Sequence, residues 1–245
     1  MNNKKLTDFI WQHLLLLISL FLLALGVALC IRSQLGSSVI SSAPYAFTLA
    51  GRAGYVFPWT LGMYTNILNI LLVIGQIIVL GRNFKTIQLL QLVIGIVFGV
   101  LIDFSMSLTS IVECDAIFPR LLLMIVGSTV MALGVTMEIR CGSVTMPGEG
   151  LPAAIALKTG KDFSLIKIFV DITLVMIAAI SAYVFFHTWL WNVVGVGTLF
   201  AMVYCGMAVK FFSRHISWFD RLLGYHPGFR SFFFGLAGFL RNSRK

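Results

Sequence analysis

Long apolar runs alternate with short polar stretches along the chain. An α-helix needs about 20 apolar residues to cross a bilayer, and six runs are long enough to predict transmembrane helices. They lie at about residues 12–31, 60–80, 87–108, 119–138, 165–186 and 190–212. Two further stretches, 37–50 and 143–157, are too short and too polar to cross comfortably. Each of these is expected to form a half-helix or a re-entrant segment.

The polar stretch from Arg140 to Pro152 is the most unusual part of the sequence. It contains two prolines, three glycines, two hydroxyl side chains, an arginine and a glutamate, with apolar spans on either side. Freed backbone groups in hydrocarbon cost several kcal/mol each, so irregular backbone at this depth is tolerated where it is buried in protein or lines a wet cavity. The stretch is therefore the first candidate for a site.

The two polar stretches occupy equivalent places in an internal repeat. Ala-Leu-Gly-Val followed by Ile-Arg occurs at residues 24–32 and again at 132–140, an offset of 108. The later spans align as 64–67 with 169–172 and 95–98 with 197–200. Three spans per copy invert the topology of the second copy. We predict an all-α integral membrane protein of two inverted three-helix repeats (1–112 and 113–213), each with a broken segment.

Composition agrees with this class. The chain is 59% hydrophobic and 11% charged, whereas soluble proteins carry about 25% charged residues, and its mean hydropathy is +0.96. The formal charge is +9, and much of the excess lies in a basic, aromatic tail at 214–245. Beside apolar spans such a tail favours anionic lipid over nucleic acid as its partner. A seventh span in the tail is an alternative, opposed by Pro227 and the arginines around it.

The N-terminal segment is predicted to stay in the membrane as the first span. Residues 1–31 are interpreted as an uncleaved first span, because no small-x-small cleavage site follows the apolar run. Counting Lys and Arg does not separate six spans from eight. The polarity of the two short stretches favours six spans, with both termini in the cytoplasm.

The four cysteines and four histidines show no metal-ligand spacing, and no phosphate-binding loop is present. No catalytic group, metal or cofactor is therefore expected.

Two carboxylates are the leading candidates for solute or ion binding. Glu149 could bind a cation or proton at the tip of a broken helix, or it could simply cap that helix or face the cytoplasm. Asp171 lies inside the fifth predicted span, and its repeat counterpart is Asn66. Polar residues at matching depths suit a central site, but an interhelical hydrogen bond would also account for them.

Small polar residues of the broken segments complete the predicted binding set. Their hydroxyls and backbone amides could bind a solute at the N-termini of half-helices, or could satisfy freed backbone locally. They are Ser37, Ser38, Ser41, Ser42, Thr145 and Gly148.

Three charged residues are candidate gates or anchors. Arg32 and Arg140 each end a span just before a broken segment, where they could attract an anion or extend to lipid headgroups. Asp103 lies near the end of its span and could belong to the pathway or face outer water.

Several motifs resemble the YczE/YyaS/YitT-like family of bacterial multi-pass membrane proteins. In the first half these are Ala24–Ala28, Leu35–Tyr45, Phe84–Leu92 and Phe98–Asp103. In the second half they are Met146–Leu151, Thr159–Lys161 and Gly197–Leu199. Where family members often have a proline in the first segment, this chain has Val39. The resemblance implies a multi-pass protein of the bacterial inner membrane and says little about substrate.

These observations predict a secondary transporter for a small solute or ion. Alternating access would come from one repeat rocking against the other, with H⁺ or Na⁺ coupled through Asp171 or Glu149. Two alternatives stay open: a solute-binding subunit of an ATPase-driven importer, and a membrane partner or regulator of an enzyme. An enzymatic activity is not expected. The sequence leaves the substrate and the oligomeric state, including a homo-oligomer, undetermined.

Overall fold

The computed structural model describes residues 3–141 and 146–224, and this part of the chain is helical without any strand. The α-helices are α1 (Asn3–Arg32), α2 (Val39–Arg52), α3 (Leu61–Leu80), α4 (Leu90–Leu108), α5 (Ile117–Cys141), α6 (Pro147–Thr159), α7 (Phe163–Phe186), α8 (Val196–His215) and α9 (Ser217–Gly224). Short 3₁₀ turns at Gly81–Asn83 and Thr86–Leu89 link α3 to α4. The predicted all-α class is confirmed.

Six of these helices, α1, α3, α4, α5, α7 and α8, are long and apolar enough to cross a membrane. They match the six predicted spans. The other two helices of the repeats are much shorter: α2 has 14 residues and α6 has 13. At 1.5 Å per residue each is about 20 Å long, against a hydrocarbon thickness of about 30 Å. The expected half-helices are therefore present, as α2 and α6.

The packing of the helices follows the internal repeat, with α1–α4 as one copy and α5–α8 as the other. The contact of α1 with α4 is repeated by α5 with α8, and that of α2 with α3 by α6 with α7. Between the copies, α2 packs on α7 as α6 packs on α3. One pair breaks the pattern, because α3 packs closely along α4 whereas α7 and α8 have no comparable contact.

The crossing of α1 and α5 shows how the two copies are related. A Cβ added at Gly26 would lie 2.5 Å from the backbone nitrogen of Met131, and one added at Gly134 would lie 2.5 Å from that of Leu23. The repeat offset is 108, so Gly26 corresponds to Gly134 and Leu23 corresponds to Met131. Each of the two contacts is therefore the repeat counterpart of the other. The two helices are therefore antiparallel and related by a pseudo-twofold axis perpendicular to them. Such an axis lies in the membrane plane, which makes the repeats inverted, and the glycines permit the close backbone approach.

The half-helices meet at the same axis. Helices α2 and α6 begin at Val39 and Pro147, again 108 positions apart. The Cδ1 atom of Ile40, in the first turn of α2, lies against the α-carbon of Gly148, in the first turn of α6. Since Ile40 and Gly148 are counterparts, a contact between them lies on the pseudo-twofold axis. The N-termini of both half-helices thus converge near the middle of the protein.

Candidate functional site

A cluster of three charged side chains lies where α6 meets α7. Glu149 is the third residue of α6, and Lys167 and Asp171 are one turn apart on α7. The Lys167 Nζ atom lies 3.2 Å from Glu149 Oε1 and 2.8 Å from Asp171 Oδ1. The three side chains are only 15–27% exposed. The partial positive charge at the N-terminus of α6 also stabilises the Glu149 anion. Both carboxylates proposed from the sequence therefore share one ammonium group.

The charges of this ion cluster do not balance. When all three groups are ionised, two carboxylates oppose one ammonium, which leaves a net charge of −1. An uncompensated charge within a membrane protein is costly, so the cluster can accept one further positive charge, from a proton or a monovalent cation. Sequence reasoning missed Lys167. The available signal was its position four residues before Asp171 inside a predicted span, the spacing at which helical side chains interact.

A further carboxylate supports the start of α6. Glu138 lies near the end of α5 and is 5% exposed, and its Oε1 atom accepts a hydrogen bond of 3.0 Å from the backbone N–H of Met146. Met146 is the residue immediately before α6. Glu138 therefore holds the beginning of the half-helix against α5. The sequence analysis did not single it out, although a glutamate at the end of an apolar span was the available signal.

An amide pair lies on the other side of α6. Gln76 of α3 and Gln91 of α4 are both fully buried, and Gln76 Nε2 donates a hydrogen bond of 2.9 Å to Gln91 Oε1. The remaining Gln76 Oε1 and Gln91 Nε2 atoms have no partner. A Cβ at Gly150 would lie 2.7 Å from Gln76 Nε2 and 2.8 Å from Gln91 Oε1. The amides thus touch the first turn of α6 next to Glu149, and the sequence analysis missed both of them.

The serines before and within α2 are buried and bonded within the chain. Ser37 Oγ donates to the carbonyl of Val193 at 2.8 Å, and the hydroxyls of Ser38 and Ser41 lie 2.7 Å apart. Ser42 Oγ donates to the Val39 carbonyl at 2.7 Å. In this structure the serine hydroxyls are used to satisfy the backbone and each other. Of the other predicted binding residues, Gly148 lies at the axis and Thr145 lies outside the described residues.

The counterparts Asn66 and Asp171 have different surroundings. Asn66 faces α4, where a Cβ on Gly99 would lie 2.6 Å from its Nδ2 atom, and its Oδ1 atom is buried without a partner. Asp171 pairs with Lys167 on its own helix. The structure therefore brings Asp171 together with Glu149 in the ion cluster and leaves Asn66 in the interface between α3 and α4.

The three candidate gate residues bind helix ends. Asp103 accepts hydrogen bonds from the hydroxyl of Thr60 (2.6 Å) and from the backbone N–H of Gly62 (2.8 Å), and so caps the start of α3. Arg32 donates to the Met106 carbonyl at 2.9 Å, near the end of α4. Arg140 joins the end of α8 to α9 by donating to the carbonyls of Ser213 and Ile216 and pairing with Asp220. All three residues therefore fix helix termini. The two arginines do so as cations near C-terminal carbonyls commonly do.

The described residues contain no group of three or more His, Cys, Asp or Glu side chains arranged to hold a metal ion. The polar side chains around the start of α6 are the ion cluster on one side, the amide pair on the other, and Glu138 of α5.

Comparison with known proteins identifies a family. The model of a family of unknown function, DUF6198, matches residues 10–214, a range that includes nearly all of both repeats and all the candidate residues. No curated protein matches the chain, and no solved structure matches it.

Proposed function

The chain belongs to the family of unknown function DUF6198, and we propose that it is a secondary transporter that moves a small solute by alternating access. The resemblance to the YczE/YyaS/YitT-like family is part of the same proposal, as are a place in the bacterial inner membrane and cytoplasmic termini. In that orientation α6 and the ion cluster belong to the cytoplasmic half of the protein.

The ion cluster carries the proposal. A salt-bridged lysine with two carboxylates is unusual inside an apolar bundle, and intramembrane ionisable groups most often belong to ion or substrate pathways. This cluster connects a half-helix that starts at the pseudo-twofold axis with a membrane span. Binding sites at the interface of inverted repeats, formed by discontinuous helices, are the common arrangement in secondary transporters.

The charge imbalance suggests how transport is coupled. Lys167 of α7 holds α6 through Glu149 and also pairs with Asp171 on its own helix. A proton or Na⁺ that binds Glu149 competes with the ammonium group and weakens the ion pair that joins the two helices. Ion binding would then change the position of α6 relative to α7, which is the motion that alternating access needs at this interface.

Charge movement on ion binding tests the proposal without knowledge of the solute. The full chain is reconstituted in proteoliposomes on a solid-supported membrane and exposed to rapid jumps of Na⁺ concentration or of pH. Wild type is expected to give a transient displacement current for one of the two ions. Glu149→Gln and Asp171→Asn should abolish or strongly reduce this current.

The matched control is Asp162→Asn. Asp162 is the exposed residue before α7, and its Oδ1 atom accepts a hydrogen bond from Ser164, so the variant removes a nearby carboxylate outside the ion cluster. It should keep the wild-type current. Absence of current in wild type for both ions would overturn the proposal and favour a non-transporting membrane partner. An undiminished current in Glu149→Gln and Asp171→Asn would overturn the role of the cluster.

A further inference from the structure

A row of unpaired amide atoms follows the interface between α3 and α4. Asn66, Asn69 and Gln76 of α3 and Gln91 of α4 each carry a buried nitrogen or oxygen without a hydrogen-bond partner. We call these four residues the amide seam. The last three are 0–3% exposed. The seam spans ten residues of α3, or about 15 Å of helix, and it ends against Gly150, beside the ion cluster.

Buried amide groups without partners need an explanation. The great majority of buried polar side-chain atoms are hydrogen-bonded, and the penalty for an exception is high in a membrane interior, where water is scarce. Both orientations of the Gln76–Gln91 pair leave one free donor and one free acceptor, so exchanging the amide groups does not remove the problem. The seam is therefore built to bond with something other than itself.

That partner does not fit in the present arrangement. Glycines of α4 lie directly against the amides: a Cβ at Gly99 would lie 2.6 Å from Asn66 Nδ2, and one at Gly95 would lie 3.0 Å from Asn69 Nδ2. The amide seam is closed, and its free donors and acceptors become available to a ligand only when α3 and α4 separate.

The other repeat already has the separated arrangement. The counterparts of α3 and α4 are α7 and α8, which lack close packing along their lengths. Lys167 and Asp171 of the ion cluster lie on α7, the helix that is separated from α8 by this space. Exchanging the conformations of the two inverted repeats would close this space and open the seam between α3 and α4.

The residues of the seam define the ligand that it fits. Between Leu61 and Leu80 helix α3 has no charged residue, and Asp103, the one charged residue of α4, is engaged in capping α3. The amides offer neutral donors and acceptors side by side. We propose that the amide seam is the solute-binding path of the transporter and that it takes a small neutral solute rich in hydrogen-bonding groups, such as hydroxyls or amides. This inference rests on the proposed transport function.

Thiol reactivity tests both the opening and the ligand class. Cys30, Cys114, Cys141 and Cys205 are replaced in the full chain, and Asn69→Cys or Gln76→Cys is introduced before reconstitution in lipid nanodiscs. The probes are neutral hydroxyethyl, cationic trimethylammonioethyl and anionic sulfonatoethyl methanethiosulfonates, with rates normalised to those for a free thiol in solution. The neutral probe should react about tenfold or more faster than either charged probe, because an uncharged membrane interior disfavours ions.

Control variants separate the seam from lipid and from general damage. Ile78→Cys on the exposed face of α3 (73% exposed) should react slowly with every probe, because thiolates do not form in an apolar environment. Gly99→Ala adds a methyl group against Asn66 and should raise the reactivity at residue 69 several-fold by opposing closure. Gly206→Ala has open space around its Cβ and should leave the reactivity unchanged.

Two results would overturn the inference. Reaction at residues 69 and 76 no faster than at residue 78 would make the amide seam a static helix contact. A preference for the cationic or the anionic probe, or equal rates for all three, would exclude a neutral-solute path. Neither result affects the displacement-current test of the ion cluster, so the two proposals can fail separately.

Discussion

Removing the ammonium group from the ion cluster should destabilise the protein more than removing the whole cluster. Lys167→Met leaves Glu149 and Asp171 with two unopposed negative charges. Loss of one partner of a fully buried ion pair costs about 3–5 kcal/mol. Because the three side chains retain 15–27% exposure, screening reduces this figure, and we expect a loss of about 2 kcal/mol in the free energy of unfolding.

Neutralising the carboxylates should recover most of that loss. In the triple variant Lys167→Met, Glu149→Gln, Asp171→Asn no charge remains, so we expect unfolding free energy within about 1 kcal/mol of wild type. The assay is reversible unfolding in detergent micelles or bicelles, followed by helical circular dichroism. Lys161→Met, an exposed lysine in the short loop before α7, is the matched control and should change stability by less than about 0.5 kcal/mol.

Two outcomes would refute this reasoning. Wild-type stability of Lys167→Met would show that Glu149 and Asp171 are already neutralised or hydrated without the ammonium group. A triple variant less stable than Lys167→Met would show that the three side chains stabilise the bundle through packing instead of charge.

Three further changes test the structural features around the site, each by the same unfolding measurement. Gly134→Val at the crossing of α1 and α5 should cost at least about 1–3 kcal/mol because its Cβ has no space, and equal stability of Gly134→Val and Gly206→Val would contradict the close crossing. Asp103→Ala should cost about 1 kcal/mol through the lost cap of α3, with the exposed Asp115→Ala as its control; a smaller loss than the control would refute the capping role. Glu138→Ala should cost about 1–3 kcal/mol and Glu138→Gln clearly less, because only glutamine keeps an acceptor for the backbone N–H before α6; equal losses would argue against that hydrogen bond.

The helices were largely predictable, because they are dictated by the length of each apolar run and by the need to hydrogen-bond every backbone group inside a bilayer. The predicted and observed spans agree closely except at α8, which begins at Val196 instead of near residue 190. The residues before it are apolar, but the carbonyl of Val193 binds Ser37 and Thr198, and the N–H of Gly197 binds the carbonyl of Leu35. These tertiary contacts hold the segment as a turn, and hydropathy does not report them.

The candidate site was predictable in part. Charge inside an apolar chain pointed to Glu149 and Asp171, but their common partner Lys167 depends on how α6 lies against α7. Of the amide seam the sequence analysis named only Asn66, for a similar reason. Single glutamines in separate spans look like isolated interhelical contacts, and only the packing of α3 on α4 shows them in one row with unpaired atoms.

The contact between Ile40 and Gly148 has a consequence for how such a chain can arise and be redesigned. At a twofold axis a residue meets its own copy, so two identical subunits would place isoleucine against isoleucine or leave a void between two glycines. Because both copies belong to one polypeptide, one position can carry a large side chain while its counterpart is a glycine. A dimer assembled from two first halves would therefore collide at its centre, and an engineered symmetric ancestor would need a residue of intermediate size, such as alanine, at both positions.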